Sequence, residues 1–163
     1  MDFTIVELMN YIGDEEHFTK YNVPIESLTI LDKPDDFSWY VHVKAKGMFV
    51  VSARDFINYS FIHTRDPNSE FQMVIVFSID KPIGPDPAEN KGVVRANMAV
   101  GGWIFRKISD TRTHVSYLSL SDMRGSIPKF ALSLGAGQIT QSLEKLITLM
   151  TAAKADGTLS SEF

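Results

Sequence analysis

The sequence contains no cysteine. That absence removes disulfide staples, thiol nucleophiles and cysteine-based zinc sites together, and it suits a reducing compartment. Long apolar runs are missing as well, so no stretch is expected to cross a bilayer as a helix. The N-terminus, Met1-Asp2-Phe3-Thr4-Ile5-Val6-Glu7, lacks the basic start and apolar core of a signal peptide. The expected location is therefore the cytoplasm, and Asn58-Tyr59-Ser60, although it matches a glycosylation sequon, reads as ordinary sequence. Positive charge is scarce: 16 Lys and Arg against 20 Asp and Glu leave a net charge of −4, which argues against a phosphate-binding surface and a nucleic-acid partner.

Catalytic signatures are thin. No Gly-x-Ser-x-Gly, P-loop or dinucleotide fingerprint occurs. His17, His42, His63 and His114 show no metal-ligand spacing. The carboxylates of Asp14-Glu15-Glu16 and Asp35-Asp36 read as solvated turns rather than an acid/base pair. No enzyme activity, cofactor or metal is expected.

What is present suffices for one core: 163 residues, of which 44% are hydrophobic. Phe3, Val6, Leu8, Met9 and Ile12 fall at helical spacing and stop near Gly13. Asp14-Glu15-Glu16 starts a second short helix that ends at Asn22-Val23-Pro24. The period then becomes two. Trp39, Val41, Val43 and Ala45 alternate with polar neighbours, and strands are predicted at 39–46, 56–62, 71–78, 93–100, 103–108 and 114–121. Residues 80–92 carry three prolines and two glycines, which makes a long loop. Ile127-Pro128-Lys129 opens a final helix, with Ile139, Leu143, Leu146, Ile147 and Met150 in one apolar stripe. Six strands in antiparallel succession and one long covering helix predict an α+β fold, with a domain over 1–153 and a flexible tail over 154–163.

Four phrases in order resemble one family. They are Ser52-Ala53-Arg54-Asp55-Phe56, Lys91-Gly92-Val93-Val94-Arg95-Ala96, Asp122-Met123-Arg124-Gly125-Ser126-Ile127-Pro128-Lys129, and the terminal amphipathic helix. Together they are similar to the START (StAR-related lipid transfer) domains. The resemblance implies a helix-grip fold, a curved antiparallel sheet wrapped around the C-terminal helix, enclosing a tunnel for one lipid. It also implies function: non-catalytic lipid binding for transfer between membranes or for sensing, with a transient membrane contact. Two departures from the family pattern stand out. The family's first helix and several strands have no counterpart here, so a sheet edge is expected to be open: either another chain or segment covers it, a homodimer being one form, or the sequence is truncated, or the tunnel is open on one side. Sterol- and phosphatidylcholine-binding members carry an arginine where this chain has Ser60, and the partner glutamate of the sterol type falls near Val41. Phospholipid and sterol therefore both remain open.

If Ser60 faces the tunnel, alternation places Phe56, Asn58 and Ile62 beside it. The expected lining is then Trp39, Val41 and Val43, followed by Asn58 and Ser60, Gln72 and Val74 (with Val76), Met98, Trp103 (with Phe105), and Tyr117 (with Ser119). Asn58, Ser60, Gln72 and Tyr117 would orient a headgroup. The competing reading is a packed core with these polar groups internally satisfied. Arg54 and Asp55 are read as structural, hydrogen-bonded or ion-paired at a strand start. Gate elements are expected at Pro82, Gly84 and Gly92 in the long loop. Gly135 and Gly137 are expected to interrupt the final helix, either as a hinge or for close packing. Two other functions stay open: a helix-grip cyclase or hydrolase, and a lipid-independent protein-interaction domain.

Overall fold

Two short helices precede the sheet, and each has a built start. Thr4 accepts from the Glu7 amide at 3.1 Å while the Glu7 carboxylate accepts from the Thr4 amide at 2.7 Å, a reciprocal cap that opens α1 (Ile5–Gly13). Asp14 ends α1 and caps α2 (Glu15–Tyr21) by accepting from the Glu16 and His17 amides. The structure, a computed structural model, describes all residues except 49, 65, 67, 81–91 and 162–163, and the side chains of Leu132 and Ala136. The expected gate positions Pro82 and Gly84 lie outside the described residues.

Seven strands follow: β1 (Ile25–Asp35), β2 (Ser38–Ala45), β3 (Ala53–Ile62), β4 (Phe71–Ser78), β5 (Val93–Arg95), β6 (Asn97–Ser109) and β7 (Arg112–Asp122). They form one sheet in the order β1-β2-β3-β4-β6-β7, with β5 beside the start of β3. The helix α3 (Lys129–Asp156) closes the chain. This is the expected α+β arrangement of a curved antiparallel sheet and a long C-terminal helix.

Three details differ from the sequence reading. β1 was not foreseen, because its register against β2 slips three times and most of it is exposed, which erases the period of two. The stretches 93–100 and 103–108 are not two antiparallel strands. β5 pairs with β3 in parallel, and β6 runs unbroken through Gly101 and Gly102. Gly102 has φ +140°, and a side-chain carbon there would collide with the Val74 carbonyl, so this glycine marks a close backbone approach of β4 and β6 rather than a turn.

The third difference is α3, which Gly135 and Gly137 do not interrupt. Among the described residues, and apart from the adjoining residues and the helix's own backbone, no atom lies within 4 Å of the Cβ position at either glycine, so no described neighbour packs closely there. The helix buries Ser142, Leu146 and Met150, with Leu143, Leu149 and Ala153 partly covered. Ile139 and Ile147 of the expected stripe are each 41% exposed, flanking that face. The boundary expected after residue 153 falls inside the helix, and Leu159 beyond it packs on the α1 core. Exposed mid-helix glycine costs about 1 kcal/mol relative to alanine. Changing both Gly135 and Gly137 to alanine should thus raise the melting temperature by roughly 4–8 °C. Calorimetry checks this, and a lowered melting temperature would show the open space to be needed.

Apolar burial gathers in two places. One cluster joins α1 and Tyr21 to Trp103, Phe105, Leu146 and Met150. The other is Val41, Val43, Phe56 and Ala96, with Phe18, Ile25, Leu28, Trp39 and Met98 packed against it.

Candidate functional site: an apolar cavity

Members of both clusters face a cavity of about 650 Å³. Alternation along paired strands builds its floor. Trp39, Val41 and Val43 come from β2, and Phe56, Asn58, Ser60 and Ile62 from β3. Val74 and Val76 come from β4, Met98, Gly102, Trp103 and Phe105 from β6, and Tyr117 from β7. The Tyr117 and Trp103 rings meet at 4.8 Å. Ile25, Leu28 and Ile30 of β1 extend that floor, Leu28 opposite Val43 and Ile30 opposite Val41, and Met9, Asn10 and Ile12 of α1 with Phe18 of α2 complete the lining. Burial locates the mouth: Gly13, Glu15, Ile30, Asp36 and Ser160 are exposed, whereas Val41, Val43, Phe56, Asn58 and Phe105 are buried.

Nine of the ten residues proposed from the sequence line this cavity; Gln72 is the exception. It is fully buried opposite Phe105 in the β4–β6 ladder, and its amide nitrogen donates to the Asp66 carbonyl at 2.6 Å. Its side chain is used to hold the β3–β4 turn. Ser119 is exposed and shares a hydrogen bond of 3.1 Å with Ser121. The lining from α1, α2 and β1 was not foreseen, although the apolar spacing of Met9 and Ile12 marked a buried face. Nothing in the sequence pointed to Ser160.

Asn58 is the most enclosed polar group of the lining, at 3% exposure. A short relay orients it. The Met98 amide donates to Ser78 Oγ at 2.7 Å, and Ser78 Oγ donates to Asn58 Oδ1 at 2.8 Å. A hydroxyl that already accepts from an amide is free to donate, so the Asn58 oxygen is turned to Ser78 and the Nδ2 donor is left over.

A family model described as the START domain matches residues 5–144, most of the chain. The chain belongs to the START domain family. Its fold is shared with the solved human StAR-related lipid transfer protein 5, at a TM-score of 0.79 and 15% identity, over 93% of this chain and 72% of that one. Human STARD10 superposes at 0.76 with 15% identity, over 94% and 62% of the two chains. A STAR-related lipid transfer protein fragment from Xanthomonas axonopodis superposes at 0.70 with 18% identity, over 93% and 81%. Among curated proteins, none matches the sequence.

Two motif residues brace this START domain rather than line its cavity. Arg54 is buried, and its guanidinium donates to the carbonyls of Ser52, of Met123 at 3.2 Å and of Arg124 at 3.0 Å. It thereby ties the start of β3 to the turn entering α3, where Arg124 and Gly125 both adopt positive φ. Asp55 receives Arg95 Nε at 2.9 Å and Nη2 at 3.0 Å, a two-point clamp, and lies 3.0 Å from His42 Nε2. Burial pushes its carboxyl pKa up, but the hydrogen bonds and charges of Arg95 and His42 outweigh that and hold it below the ordinary value.

No residue of α3 is among the described lining of this START domain. The helix is held by other contacts. Gln138 Nε2 contacts Met48 Sδ at 3.1 Å, Ser142 Oγ accepts from the Val23 amide at 3.0 Å, and Leu146 and Met150 pack on the α1 cluster. Among the described residues, no group of three His, Asp or Glu could hold a metal ion, and no helix is long and apolar enough to cross a membrane.

Proposed function

We propose that this START domain binds one lipid molecule in the cavity, without chemistry, and carries it between membranes or presents it to a partner. The observation that carries the reading is the cavity itself. About 650 Å³ of space, lined by members of two apolar clusters, is open at one side. A lipid chain placed there leaves water, which is worth about 0.8 kcal/mol per methylene. Two of the superposable structures are lipid transfer proteins by name, which supports the same direction. A cysteine-free chain suits exchange at the cytoplasmic face of a membrane.

Native mass spectrometry after incubation with phosphatidylcholine vesicles containing mixed cellular lipids tests this directly. The expected spectrum shows one lipid mass per chain. A chain that stays lipid-free under conditions in which it is folded would sink the proposal. Movement of α3 about Gly135 and Gly137 belongs to the proposal too. The double alanine variant should then exchange lipid more slowly while its affinity changes less.

A further inference from the structure

The charges and donors around the cavity say which lipids it takes. Among the described lining residues there is no lysine, arginine or histidine. The acidic groups in that lining are Asp14, Glu15 and Asp36, all at the mouth. Asp14 shares its carboxylate with two α2 amides and lies 3.5 Å from His17 Nδ1, and Asp36, on a side chain 90% exposed, lies 3.4 Å from Lys33. Glu15 is exposed beside them. The floor offers neutral donors. Asn58 is 3% exposed, its oxygen is taken by Ser78, and its Nδ2 is the hydrogen-bonding capacity that remains. Ser60 follows two residues later on the same face.

We infer that the cavity selects lipids whose polar group is uncharged and accepts hydrogen bonds, a hydroxyl, ester or amide, over phospholipids. The inference rests on the proposed lipid-binding function. A phosphate seated on the floor would lose its water with no cation among the described lining residues to replace it. A phosphate left at the mouth would meet three carboxylates against one lysine, Lys33 beside Asp36, a net negative charge whose repulsion salt only partly screens. A hydroxyl or amide loses far less on leaving water, and Asn58 Nδ2 and Ser60 Oγ restore its hydrogen bonds. Small uncharged groups therefore fit both ends of the site, whereas a phosphate fits neither.

The test is competitive extraction. The full chain is incubated with phosphatidylcholine vesicles containing equal small amounts of diacylglycerol, a sterol, ceramide, phosphatidylserine and phosphatidic acid, and the bound lipid is identified by mass spectrometry. At least one uncharged class should be enriched tenfold or more over both anionic classes and over phosphatidylcholine. Asn58→Asp, which keeps the acceptor for Ser78 and removes the donor, should cut uptake of that class about tenfold. The exposed pair Glu15→Lys and Asp36→Lys does not touch the core, and it should raise uptake of the anionic lipids several-fold. Phospholipid bound as well as or better than every uncharged class overturns the inference and leaves lipid binding standing. Anionic uptake unchanged by the charge-reversed mouth overturns the role of the carboxylates. No lipid of any class bound overturns the proposed function, and this inference with it.

Discussion

Met98→Arg should lower lipid uptake at least a hundredfold in a protein that still folds. Met98 lines the cavity from β6, only partly buried, with its backbone amide fixed by Ser78 and its sulfur against Gly101. An arginine at this position points a cation into a space whose described floor is apolar apart from Asn58, Ser60 and the Tyr117 hydroxyl. With the cavity empty, water entering at the mouth can solvate that cation. A lipid chain would expel the water and leave the charge unpaired, which costs several kcal/mol. A loss of about 2.7 kcal/mol already corresponds to a hundredfold change in affinity. Met98→Leu, which keeps size and polarity, should stay within about twofold of the parent. Uptake of a fluorescent lipid, measured beside a melting curve for each variant, decides the matter. Undiminished uptake by a folded Met98→Arg protein would mean that lipid does not enter between these strands.

The second large effect concerns stability. Asp55→Asn should lower the melting temperature by roughly 6–12 °C, reflecting about 3 kcal/mol. Asp55 is 6% exposed and answers both Arg95 and His42, so the substitution leaves a cation facing a neutral amide. The cost is placed at the low end for a broken buried pair because the Arg95 side chain is 32% exposed and can regain water. A pH dependence follows. The folded-state pKa of Asp55 is depressed, so its contribution is fully present above the unfolded carboxylate value of about 3.9. That contribution is lost as pH falls from there through the folded value. Denaturant titrations from neutral pH down to the acid range should therefore show the difference between parent and Asp55→Asn shrinking as pH drops. A constant difference would assign the loss to packing rather than to charge.

Much of the cavity was legible in the sequence because a strand carries its own orientation. Once Ser60 is placed inward, the period of two fixes the faces of Phe56, Asn58 and Ile62. Pairing then carries the assignment across to Trp39, Val41 and Val43 on β2 and to Val74 and Val76 on β4. The rule fails where the ladder is irregular. β1 slips register three times, so Ile25, Leu28 and Ile30 reach the cavity without an alternating pattern to announce them. Gln72 obeys the alternation and still misses the cavity, since its amide serves the Asp66 carbonyl. The strands predicted at 93–100 and 103–108 leave a gap at Gly101 and Gly102, whereas β6 runs through both, and at Gly102 β4 comes too close for a side chain.

The sequence by itself determined the fold class, the family resemblance, the inward faces of the regular strands and the absence of thiol chemistry. Those properties reside in local periodicity, residue type and motif order, all of which survive in a linear string. The tertiary structure decided where the mouth lies, which residues of α1, α2 and β1 join the lining, and which way the Asn58 amide turns. It also decided that α3 packs on the α1 cluster and adds nothing to the described lining. Each of these depends on contacts between distant segments. The Ser78 relay to Asn58 spans 20 residues, and Ser142 meets Val23 across 119, a pairing that no local pattern encodes.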